Sequence, residues 1–348
     1  MITDLPGLPA LPARRWLLAS LPDLDPADDW DAAIVSGGLS NITYRLRIGP
    51  RSYILRRPPL GHVLPRAHDM VREFRILAAL WPTVVPVPEP LALCTDPDVI
   101  GAPFYVMPEV AGRVLRSAAD TGDLDPQTCG QIAEALIRTL ADLHAVDADA
   151  VGLGDYGRRG GYSARQIRTW TEQWNRSRTR ELPDMDALLS ALRANIPSRD
   201  ETAVVHGDFR LDNTIVDVTG QGRIAAVLDW ELSTLGDPLA DLGLLLTYWH
   251  DRDDDERAQI AVAAGITTRK GFPTADQLAH RYASITGRPL DELPFYSALG
   301  AMKLAVILEG VHGRHLTGTT VSDGYDNVGS AVPILVARGL RTLHARRH

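Results

Sequence analysis

Lysine is almost missing from this chain. Of its 36 basic side chains only Lys270 and Lys303 are lysines, so no side chain ahead of position 270 can present an ammonium group. Cysteine is as scarce. Cys94 and Cys129 are too few for a disulfide framework or a cysteine-rich zinc site, which makes a reducing cytoplasm the expected setting. Long apolar runs are lacking as well. The most apolar stretch, Leu239 to Trp249, contains Asp241 and is too short to span a bilayer, so no membrane partner is expected. The chain opens Met1-Ile2-Thr3-Asp4 and meets Pro6, Pro9 and Pro12 at once, without the basic stretch and apolar core of a secretion signal. Positive charge is not in surplus either. A net charge of −8 argues against a nucleic-acid binder, which usually carries a basic face.

What is present suits a globular protein. The 348 residues suffice for two lobes with their own cores, and 45% apolar with 23% charged residues is ordinary for such a chain. The front reads as strands plus one helix. Ala32–Val35 and Ile42–Ile48 flank the glycine-bearing turn Ser36-Gly37-Gly38-Leu39-Ser40-Asn41, and Tyr53-Ile54-Leu55-Arg56 is a third strand. His68 to Leu80 places Met70, Phe74, Leu77 and Leu80 at helical spacing. Phe104–Met107 is a further strand, ended by Pro108. Behind Gly112 the pattern turns helical, with segments near Gln127–Ala145, Ser163–Arg178, Met185–Asn195 and Pro294–His312. The acidic run Asp251 to Glu256 reads as a solvated loop. The expected division is an N-terminal lobe over 1–110, holding a leading helix, an antiparallel sheet and one further helix, and a helical C-terminal lobe over 111–348.

One segment carries chemistry. His206-Gly207-Asp208-Phe209-Arg210-Leu211-Asp212-Asn213 is followed, sixteen residues after Asn213, by Asp229-Trp230-Glu231. Apolar pairs Val204-Val205 and Ile215-Val216 bracket the motif, and a second apolar strand, Ile224–Leu228, delivers Asp229. A strand–loop–strand hairpin of this kind could aim three oxygen-bearing side chains at one point. Asp and Asn are also ordinary turn formers, so the spacing alone is weak evidence.

These residues resemble the catalytic core of the aminoglycoside phosphotransferase and choline kinase superfamily, small-molecule relatives of the protein kinases. The resemblance runs from about Ala32 to Gly313 and is strongest to the branch associated with acyl-CoA dehydrogenases. It implies an α+β, protein-kinase-like bilobal fold, with a β-rich N-lobe, a helical C-lobe and a helical insertion before the catalytic loop. It implies an enzyme that uses ATP and Mg²⁺ to phosphorylate a hydroxyl. By that resemblance Asp208 is the catalytic base or orients the acceptor hydroxyl, and Asn213 and Asp229 hold Mg²⁺. His206 braces the loop. Asp241 caps the catalytic-loop backbone from a helix start, which Asp237 and Pro238 open. In the front lobe, Ser36, Gly37, Gly38, Ser40 and Asn41 stand where a phosphate-covering loop would lie. Glu73 matches the helix glutamate that pairs with the strand-three lysine. That lysine is missing. Arg56 takes its position, with Arg57 the lesser candidate; alternation puts Arg56 beside Ile54 on one face. Met107, Pro108 and Val110 resemble the adenine-binding hinge.

The acceptor is expected to be small. Only eleven residues separate Asp229 from Asp241, and the Ala-Pro-Glu end of a protein-kinase activation segment is lacking, so no protein substrate is expected. Residues 156–200 carry nine arginines against five acids. A basic wall suits an anionic acceptor such as a hydroxyacyl-CoA, whereas a polycationic aminoglycoside calls for carboxylates. The same arginines also serve to solubilise exposed helix faces. Arg168, Trp174, Glu231, Glu309 and His312 are the candidate acceptor contacts, and Lys303 and Arg314 share the late helix. Two other readings stay open: an aminoglycoside-type antibiotic kinase, and a catalytically silent nucleotide-binding module.

Overall fold

The computed structural model describes residues 4–35, 41–61, 68–199, 201–219, 222–263, 265–317 and 328–345. The chain divides into two compact units. The first takes Met1–Ala111 and also Ala225–Glu231; the second takes Gly112–Ile224 and Leu232–His348. Asp229 therefore belongs with the front of the chain, a return that sequence order does not reveal.

In the first unit, helix α1 (Ala10–Ser20) precedes strands β1 (Trp30–Ile34), β2 (Ile42–Ile48) and β3 (Arg51–Arg57). Helix α2 (Met70–Leu80), strand β4 (Ala92–Cys94), the short helix α3 (Pro97–Ile100) and strand β5 (Phe104–Pro108) come next. The strands form one antiparallel sheet in the order β1-β2-β3-β5-β4. β2 and β3 are joined by Gly49-Pro50, with Gly49 at φ 53°, the positive value that the first position of such a tight hairpin requires. Strand alternation then sorts β3. Tyr53, Leu55 and Arg57 are buried on the face that packs with Leu17, Tyr44, Phe104 and Val106, while Ile54 and Arg56 take the other face. Helix α2 is capped by Asp69, whose side chain accepts from Arg72 N, and buries Met70, Glu73, Ile76, Leu77 and Leu80. A carboxylate thus shares the apolar stripe of this helix.

The second unit is mainly helical. It contains α4 (Pro126–Ala145), α5 (Tyr162–Ser177), α6 (Pro183–Ala194), α7 (Pro238–Tyr248), α8 (Ala275–Thr286), α9 (Leu293–Leu316) and α10 (Ala331–Ala345). Helix α9 packs against α5, α6, α7 and α10. Among the described residues it is the helix long and apolar enough to cross a membrane, and 78% of its apolar window is buried in the protein. The expected hairpin around the motif is corrected in one respect. Strand β6 (Ala203–Val205) pairs with β9 (Thr234–Gly236), a strand that apolar patterning did not suggest. Only β7 (Thr214–Asp217) and β8 (Arg223–Val227) form the local ribbon. The acidic run is also not simply solvated: Asp254 and Glu256 pair with Arg338, and Glu256 also holds Arg341 of α10.

The crossing of α7 and α9 depends on Gly243. A Cβ there would lie 2.4 Å from the carbonyl carbon and 2.6 Å from the carbonyl oxygen of Tyr296, both backbone atoms that cannot rotate away. Gly243→Ala should therefore destabilise the fold by about 1–3 kcal/mol, the usual range for an overpacked core. Calorimetry should show a thermal midpoint several degrees lower, and an unchanged midpoint would refute this role of Gly243 in the crossing.

Candidate active site

In the first unit the chemistry gathers around Glu73. Its carboxylate, 2% exposed, accepts from Asn41 Nδ2 at 2.8 Å and from the Tyr105 hydroxyl at 2.9 Å. Arg56 lies opposite Tyr105 in the β3–β5 register, and its Nε stands 3.5 Å from Glu73 Oε2. Its Nη2 donates to Asp229 Oδ1 at 3.0 Å. The strand-three arginine thus meets both carboxylates that surround it. Burial works against the Arg56 cation, but Tyr105, Glu73 and Asp229 outweigh it and hold Arg56 above its usual range. The Glu73 carboxyl is pushed up by burial, which Arg56 and the Tyr105 and Asn41 hydrogen bonds only partly offset. Arg57 is placed differently, with its guanidinium bonded to the carbonyls of Gly7 and Ile100, so it ties the segment ahead of α1 and the end of α3 to the sheet.

Asp229 sits at φ 66°, a left-handed conformation that Asp tolerates better than most residues. Two residues on, Glu231 accepts from Asn41 Nδ2 at 3.2 Å and lies 3.4 Å from His68 Nδ1. Glu231 is therefore a latch on the Asp229 turn, which removes it from the expected acceptor contacts. His68 and Tyr105 were not anticipated. Tyr105 was legible only through the strand register, and His68 carries no pattern of its own. Met107 is buried in the sheet opposite Ile54, Pro108 faces Tyr53, and Val110 follows the last ladder bond, Glu109 N to Ser52 O. Ser36, Gly37, Gly38 and Ser40 lie outside the described residues.

In the second unit the motif is pinned by Asp241. Its carboxylate, 1% exposed, accepts the backbone N–H groups of His206 at 2.6 Å and Gly207 at 2.8 Å. His144 Nε2 lies 3.4 Å away, and His144 Nδ1 lies 2.7 Å from the Tyr282 hydroxyl. Burial pushes the His144 ring below its usual range despite Asp241, so the ring is neutral. An anion can only accept, so Nε2 carries the proton and Nδ1 takes that of Tyr282. Gly207, at φ 82°, is needed for a close approach: a Cβ would meet the Leu232 carbonyl oxygen at 2.5 Å. His206 is fully buried; its ring stacks edge-on with Phe209, and its Nδ1 accepts from Asp208 N at 3.2 Å.

Asp208 stands at the end of this pinned loop, its side chain 17% exposed. Arg210 Nε donates to its Oδ2 at 3.1 Å, and the same guanidinium also pairs with Asp212 and stacks on the Tyr248 ring at 4.8 Å. Asn213 Nδ2 donates to the Asp208 carbonyl at 2.9 Å and to Oδ2 at 3.0 Å. Lys303 donates to the Gly207 carbonyl. Burial opposes ionisation of Asp208, yet Arg210, Lys303 and His206 outweigh it and hold the carboxyl below the usual range. Asp208 is thus an anion at neutral pH, suited to accept a hydrogen bond. The Asn213 contacts fix its amide orientation and turn the amide oxygen away from Asp208. That oxygen is a hard donor of the type Mg²⁺ prefers, and so, in the first unit, is the Asp229 carboxylate. Among the described residues no cluster of three His, Cys, Asp or Glu side chains could hold a metal by itself.

The remaining acceptor candidates separate. Arg168 is exposed on α5. Trp174 is 1% exposed and is core, so it offers no face to a ligand. Glu309 is fully buried and engaged by Thr179 N at 2.8 Å, Thr179 Oγ1 at 2.7 Å and Arg180 at 2.6 Å, which fastens the α5–α6 connection to α9. His312 packs against Gly329. Arg159, Arg165, Arg176, Arg178, Arg180 and Arg193 all bond to protein acceptors, so most of the basic excess in this region is spent on the fold.

Known proteins share this fold. The crystal structure of a protein from Ralstonia eutropha JMP134, provisionally described as an aminoglycoside phosphotransferase, superposes with a TM-score of 0.82. It is 34% identical and covers 96% of this chain and 98% of its own. A thermostable mutant of aminoglycoside phosphotransferase APH(4)-Ia, in ternary complex with AMP-PNP and hygromycin B, superposes at 0.60 with 15% identity, over 97% of this chain and 99% of its own, and speaks for the fold alone. The fold is the protein-kinase-like one of the aminoglycoside phosphotransferases. The sequence pattern of the phosphotransferase enzyme family matches residues 31–278, and the chain belongs to that family. Among curated proteins it is similar to acyl-CoA dehydrogenase family member 11 of Rattus norvegicus, 40% identical over 308 residues and 87% of this chain. Family member 10 of Mus musculus is 39% identical over 296 residues and 82% of this chain. The chain spans only 39% and 26% of those proteins' lengths.

The Asp241 anchor has a pH signature. Burial opposes its ionisation, but His144, His206 and the backbone bonds hold its carboxyl below the ordinary value of 3.8. A depressed carboxyl contributes stability that is fully present above that value and is lost as pH falls through the lower folded one. Asp241→Asn should lower neutral-pH stability by about 2–3 kcal/mol, since an amide cannot accept both N–H groups in the same geometry. Thermal midpoints measured from pH 7 to pH 3 should show the gap from wild type narrowing on acidification.

Proposed function

We propose that this chain is an ATP- and Mg²⁺-dependent kinase that moves the γ-phosphoryl group of ATP to a hydroxyl of a small anionic molecule, such as a hydroxyacyl-CoA. Asp208 carries the reading. It is an ionised carboxylate at the end of a backbone fastened by Asp241, flanked by an amide whose nitrogen donates to it. Held below its usual pKa, it orients the acceptor hydroxyl by accepting its hydrogen bond and receives the proton late, as oxygen–phosphorus bonding lowers the hydroxyl's own pKa. Asn213 is assigned to Mg²⁺, and so is Asp229; the ion, when bound, neutralises phosphate charge. The first unit is assigned to the nucleotide, with Arg56 on phosphate oxygens, Glu73 keeping it in place, and Met107, Pro108 and Val110 beside adenine. The second unit is assigned to catalysis and the acceptor.

The anionic acceptor is favoured over an aminoglycoside by the charges nearest Asp208. Arg210 is a cation; burial pushes Lys303 below its usual range while Asp208 and Asp241 favour its charged form, and a polycation would meet repulsion from these groups. A catalytically silent module is disfavoured by Arg56, which satisfies Glu73 and Asp229 together in place of a lysine. A cytoplasmic setting accords with two free, buried cysteines. Neither a nucleic acid nor a membrane is proposed as partner.

Asp208→Asn should cut phosphoryl transfer by about two to four orders of magnitude while Mg-ATP still raises the thermal midpoint. Unchanged turnover in an ATP-consumption screen over hydroxyacyl-CoAs, hydroxy acids, amino alcohols and aminoglycosides would remove Asp208 from the chemistry. Arg56→Ala should raise KM for ATP about tenfold or more, as expected on losing a charged phosphate contact, and should destabilise the fold by leaving Glu73 unpaired. An unaltered KM would exclude Arg56 from the nucleotide site.

A further inference from the structure

Lys303 is one of two lysines in a chain that otherwise uses arginine for positive charge. It rises from α9 and is partly buried. Its ammonium donates to the carbonyl of Gly207, the residue just before Asp208, and lies 5.4 Å from the centroid of the Trp170 ring on α5. A protonated lysine has three N–H donors. The Gly207 carbonyl takes one and the Trp170 ring flanks the charge, leaving donor capacity that no described protein group uses. The neighbouring cation differs in this respect, because Arg210 is committed to Asp208, Asp212 and the Tyr248 face. The arginines of α5 and its flanks are mostly bonded elsewhere.

We propose that Lys303, walled by the Trp170 ring, is the specificity-determining cation of the acceptor subsite. It receives a carboxylate-type anionic oxygen of the acceptor and so sets that molecule's hydroxyl beside Asp208. This rests on the kinase reading and narrows its acceptor to a hydroxy acid with a free carboxylate, since the thioester of a hydroxyacyl-CoA offers no anionic oxygen beside its acyl chain. A compact ammonium suits the place. It hydrogen-bonds the loop carbonyl and turns a remaining N–H to the ligand, whereas the planar fork of arginine has fixed directions. The aromatic face adds apolar contact for the carbon chain between the two oxygens while tolerating the cation beside it.

The test compares a hydroxy acid with the diol of equal length, and Lys303→Gln with Lys303→Arg. Gln keeps a donor for the Gly207 carbonyl and removes the charge. The ratio of KM for the hydroxy acid to KM for the diol should rise about tenfold or more in Lys303→Gln, and Lys303→Arg should recover much of that discrimination. Equal losses on both acceptors, or a fall in kcat alone, would show that Lys303 merely braces the loop and would overturn the proposal. A second measurement does not require turnover. Protein labelled with ¹⁵N-lysine has two side-chain ammonium signals, which Lys270→Arg assigns. Adding the hydroxy acid should move the Lys303 signal and adding the diol should not; a signal that ignores both overturns the subsite. Wild-type protein that phosphorylates neither acceptor but shows the selective shift would count against the kinase reading while upholding the anion subsite.

Discussion

The loop that carries Asp208 depends on one buried anion. Asp241 accepts two consecutive backbone N–H groups, from His206 and Gly207, and so fixes the chain immediately ahead of Asp208. A buried carboxylate is costly unless hydrogen-bonded, and here it takes backbone and imidazole donors together. The neutral His144 ring and the Tyr282 hydroxyl extend the network to α8, so helices far apart in sequence hold the loop from behind. Gly207 completes the constraint, because only a residue without a side chain passes Leu232 this closely. The segment from Asp208 to Asn213 inherits its position from these contacts.

The first unit is organised by a different compensation. Glu73 lies on the apolar stripe of its helix and would be a severe defect without partners. Arg56, Asn41 and Tyr105 converge on it from two strands and the residue just ahead of β2, and Arg56 reaches on to Asp229. The absence of a lysine in this half of the chain is therefore no gap. An arginine is longer and presents donors in two directions, which lets one side chain meet two carboxylates. The Asp229 turn is held in its left-handed backbone by the neighbouring Glu231 latch as well.

Particular residues show how far a sequence can be read. Strand alternation separated Arg56 from Arg57, because a period of two is a local property that tertiary packing rarely reverses. The helices α2, α4, α5, α6 and α9 are visible as periodic apolar stripes, with ends displaced by a residue or a few. Strand β9 escaped because three residues carry too little pattern, and its partner β6 lies some thirty residues upstream. The charge balance of residues 156–200 misled in part. Counting arginines ignores that a guanidinium finds carbonyls and carboxylates within its own fold, as Arg165 and Arg180 do. Glu309 and Trp174 stood among the candidate ligand contacts, although the spacing of Trp170 and Trp174 already favoured packing, and the fold shows both Glu309 and Trp174 to be interior.

By itself the sequence determined the His206–Asn213 motif with Asp229 behind it, the alternation of β3 and the family to which the chain belongs, since these rest on residue identity and short spacing. Only the tertiary structure decided that Ala225–Glu231 returns to the first unit, bringing Asp229 to Arg56. It alone decided that Asp241 reaches back to His206 and that Lys303 reaches Gly207. Those pairings join residues dozens to well over a hundred positions apart, through helices whose crossings are set by small contacts such as Gly243 against Tyr296. A periodic pattern states which face of an element is buried; it does not state what that face will meet.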